Sequence, residues 1–306
     1  MQEDRVQVSV IVPSYNHEQF LEERLESIFS QTWPDFEVIL LDDASTDGSP
    51  EILRQHSGHP KVTAVELNQA NSGSPFRQWQ QGIEMARGEL IWIAESDDTA
   101  DPTFLERMVG LIDAGADLAC CRPQKIDGEG RRFSDEIWAD SLDAERWKND
   151  FENDGLDEIR DYLCYRNTLS SASACIFRKR PGLFPETVLQ SRFSGDWLFW
   201  IHYLRQGRIA YTGETLSLHR SHEETTRSLH DNENELARLQ ERLRAIRLAR
   251  RVGGRGRIRP SEIWKYRYLI RVIRRLRSEP DPVRVAGRIP AELLFYTWLI
   301  DWRERR

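Results

Sequence analysis

Glu95, Asp97 and Asp98 place three carboxylates within four positions, directly after Trp92-Ile93-Ala94, an apolar run with the character of a buried β-strand. Mutual repulsion makes such a cluster unfavourable unless a positive charge shares it. Hard oxygen ligands at a strand end suit Mg²⁺ or Mn²⁺ bridging to a substrate diphosphate. An acidic helix cap is the competing reading, because Asp101-Pro102 has the form of an N-cap followed by a first-turn proline.

Two earlier strand-like segments also end in polar clusters. Val6 to Val12 runs into Pro13-Ser14-Tyr15-Asn16, and Phe36 to Leu41 runs into Asp42-Asp43-Ala44-Ser45-Thr46-Asp47-Gly48. Helical patterns follow each strand. Between His17 and Gln31, the side chains of Phe20, Leu21, Leu25, Ile28 and Phe29 share one face. Ser49-Pro50 and Ser74-Pro75 each offer a cap before a first-turn proline, and Gly88 stands where a third helix should stop. This alternation predicts right-handed βαβ units, hence an α/β fold with a mainly parallel central sheet flanked by helices. In such a sheet the ligand crevice lies beyond the carboxyl ends of the strands, so Tyr15-Asn16, Asp42-Asp43 and Glu95 to Asp98 converge on one edge.

The 306 residues suffice for one catalytic domain of about 230 residues and a helical extension. The N-terminus runs directly into the first strand, and no stretch approaches the roughly 18–20 uncharged apolar residues of a membrane span, so the expected location is the cytoplasm. Cys120, Cys121, Cys164 and Cys175 lack metal-ligand spacing and read as reduced core thiols. The net charge of −7 conceals a split: Glu235 to Arg306 holds 20 Lys and Arg against 8 Asp and Glu, a balance of +12, which leaves −19 for the preceding residues. Trp264, Tyr266, Tyr268, Phe295, Tyr296, Trp298 and Trp302 are interleaved with these cations. Such a tail suits docking on the acidic catalytic domain or on a second subunit of a homo-oligomer, or peripheral attachment to an anionic membrane; nucleic acid is disfavoured. Gly253-Gly254-Arg255-Gly256, and then Pro280 and Pro282, should break it into helical portions.

Val-Ser-Val-Ile-Val-Pro-Ser-Tyr-Asn from Val8, Ser30-Gln31-Thr32-Trp33, Asp42 to Asp47, Gly88-Glu89-Leu90-Ile91 and Glu95-Ser96-Asp97-Asp98 together resemble glycosyltransferase family 2. Gly195-Asp196-Trp197 and His219-Arg220-Ser221-His222 extend the resemblance over roughly residues 6 to 226. It implies a GT-A fold in residues 1–232, with 1–122 as the nucleotide-sugar-binding half, 123–232 as the acceptor-binding half, and 233–306 as the basic, aromatic-rich helical extension. A doubly wound NAD-binding domain is disfavoured, because no G-x-G-x-x-G follows the first strand.

The resemblance also implies roles for individual residues. Pro13, Tyr15 and Asn16 would line the nucleotide site, with the Tyr15 ring and hydroxyl suited to a base. Asp43 would accept from the uracil or ribose edge, as an acceptor-only carboxylate can. Arg77 is similar to the family's basic residue near the base and phosphates, although an exposed helical arginine reads equally well. Glu95 and Asp97 would contact the donor, and Asp97, Asp98 and His222 would hold Mn²⁺ or Mg²⁺, with Glu95 standing where the family usually has aspartate. Arg220 would hold phosphate oxygens, unless it and His222 only stabilise their loop. The other histidines show no ligand spacing. Asp196 would be the general base for the acceptor hydroxyl, a helix cap being the alternative. Trp138 and Trp147 would line the acceptor site or simply pack.

The implied activity is an inverting transfer of a sugar from a nucleotide diphosphate donor to a glycan or lipid-linked acceptor, as in surface polysaccharide assembly. A Gln-x-x-Arg-Trp motif and membrane spans, which mark processive synthases, are missing from the sequence. A sugar nucleotidyltransferase is the rival enzyme, disfavoured by the lack of a Gly-rich basic loop after the first strand. A catalytically inactive nucleotide-sugar-binding protein is the other rival.

Overall fold

The computed structural model describes residues 6–169, 171–222, 232–256 and 258–278, together with 294, 295, 297 and 298. Strands and helices alternate through β1 (Val8–Ser14), α1 (Glu18–Phe29), β2 (Phe36–Asp42), α2 (Ser49–Gln55), β3 (Val62–Leu67), α3 (Pro75–Met85) and β4 (Leu90–Ile93). Then come β5 (Thr99–Ala100), α4 (Phe104–Asp113), β6 (Leu118–Ile126), β7 (Arg132–Ser134), β8 (Phe151–Asp154) and the short α5 (Gly155–Glu158). The remainder comprises β9 (Cys175–Arg178), the short α6 (Glu186–Leu189), α7 (Gly195–Leu204), β10 (Arg208–Arg220), α8 (Asn232–Val252) and α9 (Arg267–Ser278).

The ten strands of the described residues form one sheet, with the order β3-β2-β1-β4-β9-β6-β10-β5 and with β7 and β8 on β6 and β10. The β3-β2-β1-β4 part is parallel throughout, as the βαβ alternation requires. Strand β9 enters between β4 and β6, antiparallel to both, so β6 and its parallel partner β10 run in the direction of β4. The carboxyl ends of β1, β2, β4 and β10 therefore share one edge.

Burial on both sides explains the unbroken apolar runs of β1, β2 and β4. Val8, Val10 and Val12 pack with α1 and α4 on one face, while Ile11, Ile39, Leu41, Ile91 and Ile93 pack with α3 and α7 on the other. Helix α3 sits so close that a Cβ on Gly82 would lie 2.3 Å from Ile11 Cγ2, a position only glycine fits. The four cysteines are free and buried.

The cap expected at Asp101-Pro102 moves two residues on. Asp101 Oδ1 accepts from the Thr103 N–H at 2.9 Å, Thr103 is the N-cap, and Pro102 precedes the helix. Strand β10 pairs with β6 with a register shift between Thr212 and Ser217. Toward the C-terminus, Leu239, Leu243, Ile246, Ala249, Leu269, Ile270 and Ile273 join the same core as α3 and α7, so the described part of residues 233–306 packs on the α/β fold. Pro280, Pro282, Tyr296 and Trp302 lie outside the described residues. No described helix is long and apolar enough to cross a membrane.

Candidate functional site

The loops after β1 and β2 are fastened to each other. Asn16 and Ala44 both adopt left-handed backbone, at φ 54° and 61°, a strained choice for residues with a Cβ. Asn16 Oδ1 accepts from the Thr46 N–H at 2.8 Å, and the Asn16 N–H donates to Ser45 Oγ at 2.9 Å. Asp42 accepts from the Ser45 N–H and hydroxyl, bracing the turn. Pro13 is buried in β1 opposite Leu41, and Tyr15 is 47% exposed at the strand end.

Asp43, buried beneath this loop, is a built acceptor site. Its Oδ1 takes Asn68 Nδ2–H at 2.8 Å and the Ser72 N–H at 2.9 Å, and its Oδ2 takes the Ser72 hydroxyl at 2.8 Å. These bonds fix the carboxylate and leave one Oδ2 lone pair toward a further donor. Arg77 is exposed in the first turn of α3, five residues beyond Ser72.

The acidic run after β4 does not act as one group. Glu95 Oε1 accepts from Trp79 Nε1–H at 3.0 Å, and burial together with Asp97 and Asp98 pushes its carboxyl up to about 8. Asp98 turns toward β10: its Oδ1 accepts the Arg220 N–H at 2.9 Å and lies 3.1 Å from His219 Nδ1. Asp97 faces His222, with Oδ2 at 3.2 Å from Nε2. Burial raises the Asp97 carboxyl, but the His222 hydrogen bond and the positive character of His17, His219 and His222 outweigh it and hold the group well below the usual carboxylate range.

His17, Asp97 and His222 offer one ligand atom each, all within 4.8 Å of one another. Two imidazoles and one carboxylate at this spacing fit a divalent cation, and the mixed nitrogen and oxygen set suits Mn²⁺ better than Mg²⁺. His17 Nδ1 is 2.8 Å from Ser96 Oγ, a partner that orients the ring. Asp98, expected among the ligands, lies outside this group and faces His219 and Arg220 of β10.

Arg220 likewise differs from its expected phosphate contact. It is 2% exposed, and its guanidinium donates to the carbonyls of Asp97, Asp127 and Gly128 and to Glu23 Oε2 at 2.6 Å. With these donors committed, it works here as a fastener between α1 and the β10 end.

Asp196 is the second residue of α7, whose N-cap is Ser194 rather than Asp196. Gly195 packs against α3 so tightly that a Cβ there would lie 2.3 Å from the Phe76 ring, which brings Asp196 beside the helix whose first turns follow Ser72. Asp196 Oδ2 accepts from Asn167 Nδ2–H at 2.6 Å, and Oδ1 from the Trp197 N–H at 2.8 Å. Trp147 is fully buried among Phe151, Tyr162 and Tyr211, so it packs and lines no acceptor site, whereas Trp138 is 43% exposed.

Sequence reasoning missed His17, Asn167, Glu241 and Arg24. Glu241 on α8 accepts the N–H groups of Arg192, Phe193 and Ser194. Arg24 is fully buried, 4.8 Å above the Trp92 ring, and no nitrogen of its guanidinium has a hydrogen-bond partner. Burial lowers its pKa to about 10, opposed by the charges of Asp98, Asp97 and Glu95. One signal for it was present: Arg24 lies on the Phe20-Ile28 stripe of α1, where an apolar side chain is the rule.

Comparison with known proteins shows the family. The model of "Glycosyl transferase family 2" matches residues 9–181, more than half of the chain, and the chain belongs to that family. An uncharacterized protein of Mycobacterium tuberculosis is 28% identical over 221 residues, which span 70% of this chain and 59% of that relative. The crystal structure of S. aureus TarS 1-349 in complex with UDP superposes with a TM-score of 0.57 at 22% identity, covering 96% of this chain and 87% of that fragment. A mannosyltransferase from Pyrobaculum calidifontis in complex with GDP-Man and Mn²⁺ gives a TM-score of 0.52 at 19% identity over 97% of this chain and 80% of that one. These likenesses establish the α/β fold with its flanked central sheet.

Proposed function

We propose that this chain is an inverting glycosyltransferase that moves a sugar from a nucleoside diphosphate donor to a hydroxyl of a glycan or lipid-linked acceptor. The observation that carries the reading is the shared strand edge: the fixed Asp43 carboxylate, the His17–Asp97–His222 group and, across α3, Asp196. Asp43 and the Tyr15 ring take the nucleoside, Arg77 the phosphates. The complexes of structural neighbours with UDP and with GDP-Man and Mn²⁺ support this class of ligand.

Mn²⁺ or Mg²⁺ held by His17, Asp97 and His222 would stabilise the charge that develops on the diphosphate. The chemical step asks only a proton acceptor of the protein. The acceptor oxygen bonds to the anomeric carbon, its proton passes to an Asp196 carboxylate oxygen, and the anomeric C–O bond breaks with its electron pair leaving on the diphosphate. Attack opposite the leaving group inverts the centre. Asn167 orients the carboxylate, and its place in the first turn of α7 faces it to the positive end of the helix dipole.

Asp196→Asn tests the reading, because it keeps the shape and removes the proton acceptor. Transfer should fall by about 10²- to 10⁴-fold, the usual contribution of a general base, while calorimetry finds UDP or GDP affinity in Mn²⁺ unchanged. A variant that retains most of its turnover would rule out Asp196 as the base.

A further inference from the structure

The cations of the extension are not all consumed by its docking. Together with Arg166, which precedes the extension, Arg242, Lys265 and Arg267 flank an aromatic surface: Trp138 and Trp264 are 43% and 47% exposed, Tyr268 is partly buried, and the Lys265 ammonium lies 4.1 Å from the Tyr165 ring and 5.6 Å from the Trp264 ring. The Trp138 ring meets Tyr268 edge-on at 5.2 Å, and the Arg242 guanidinium lies 4.7 Å from the Tyr268 ring and 6.0 Å from Trp138. Arg242 also donates to the Tyr268 hydroxyl at 2.6 Å, which fixes it over both rings.

Arg166 ties this surface together, donating to the Trp138 carbonyl at 2.9 Å and to the Lys265 carbonyl at 3.3 Å. Its pKa is lowered by burial and by the charge of Arg267, so the two guanidinium groups sense each other. Among the described residues none of these four cations makes an ion pair, while the neighbouring carboxylate, Glu262, is engaged by Arg250 and Arg255. The next residue after Arg166 is Asn167, whose amide holds Asp196.

We propose that this surface is the acceptor-binding site and that it selects an anionic, phosphate-bearing glycan or polyol chain. The inference rests on the glycosyltransferase reading and deepens it by naming the acceptor class. Flat aromatic faces suit the C–H surfaces of sugars or polyols, and cations left without carboxylate partners match a repeating negative charge. Charge complementarity has a second side: residues 1–234 carry −19, so such a chain would be repelled from most of the catalytic domain and drawn to this patch. An uncharged glycan would gain from Trp138 and Tyr268 alone.

The test is a set of titrations on the full chain with a polyol-phosphate oligomer, a neutral oligosaccharide of equal length, and phosphatidylglycerol vesicles. The wild type should bind the phosphate oligomer with an affinity that falls as salt rises, and bind the neutral one more weakly. Trp138→Ala and Arg267→Gln should each weaken the phosphate oligomer about tenfold, the scale of one substantial contact at an interface. The Arg267 side chain is exposed and makes no hydrogen bond among the described residues, so that variant keeps the fold even if Trp138→Ala does not. UDP and GDP binding in Mn²⁺, measured on the same samples, reports the donor reading separately. Equal binding of both oligomers, wild-type affinity in both variants, or binding of vesicles alone would overturn the proposal.

Discussion

The carboxylate of Glu241, in α8, sets the backbone that presents Asp196: it accepts the N–H groups of Arg192 and Phe193 at 2.9 Å each and of Ser194 at 2.7 Å, two residues before the candidate base. The extension thus does more than cover apolar surface. Glu241→Ala would leave three N–H groups without their acceptor, at a cost of about 1–3 kcal/mol for each that stays buried. Displacement of Asp196 by even an ångström should lower transfer on the order of 10²-fold with nucleotide affinity nearly unchanged. Turnover and nucleotide binding measured side by side check this; unchanged turnover would make Glu241 a purely structural clamp.

Much of the strand edge was legible because its signals are local. Val8 to Val12, Phe36 to Leu41 and Leu90 to Ile93 are short apolar runs, each followed by turn-forming or acidic residues, and neighbouring parallel strands must bring those ends together. Asp43 was recognisable from its position, but its holders Asn68 and Ser72 were not, since nothing in their spacing marks them. The metal group was half legible. His222 stood in a motif, whereas His17 comes to it from 205 positions away, a pairing that only the order of β1, β4 and β10 creates. Sequence cannot show which way the Asp98 carboxylate turns; here its Oδ1 accepts the Arg220 N–H. The fate of the basic tail was equally hidden, because the surface that receives α8 belongs to α7 and to residues 159–163.

His17 and Asp98 should separate cleanly on substitution. His17→Ala and His222→Ala each remove a nitrogen from the candidate cation site, and Mn²⁺ affinity should fall by roughly 10- to 100-fold or more, the range seen even when outer partners of metal ligands are lost. Asp98→Asn should leave Mn²⁺ affinity closer to wild type and lower the melting temperature, since it weakens the tie to His219 and Arg220. Calorimetry with Mn²⁺ alone, paired with thermal denaturation in chelator, distinguishes these outcomes. The reverse pattern would return Asp98 to the ligand set.

Acid sensitivity should arise in part at Glu37, far from the chemistry. This β2 carboxylate is buried, accepting from Ser9 Oγ at 2.7 Å, the Arg87 N–H at 2.7 Å, Arg87 Nε at 2.6 Å and Thr63 Oγ1 at 3.0 Å. Burial raises its pKa, but these donors prevail and it is held below the ordinary value. A depressed carboxylate contributes stability that is complete above its unfolded pKa, near 4.3, and is lost as pH falls through the folded value. Glu37→Gln should therefore cost about 1–3 kcal/mol at neutral pH and flatten the loss of stability below about pH 4.3. Denaturant unfolding at neutral and acidic pH measures both; an unchanged acid limb would assign the sensitivity elsewhere.

Arg24 gives the sharpest test of how the acidic edge is balanced. Its buried guanidinium, without a hydrogen-bond partner, places a positive charge behind Asp98, Asp97 and Glu95. That charge offsets their repulsion when no cation is bound, and it opposes a cation arriving at Asp97. Arg24→Met keeps the length and apolar contact over Trp92 and removes the charge. Its stability in chelator combines two opposing effects, relief of the desolvated guanidinium and loss of the countercharge, so that quantity alone decides nothing. The response to Mn²⁺ has one sign: the variant should bind the ion more tightly and gain more in melting temperature than the wild type at the same Mn²⁺ concentration, because stabilisation follows the affinity of the folded state. Equal shifts in the two proteins would mean that the Arg24 charge does not reach the His17–Asp97–His222 site.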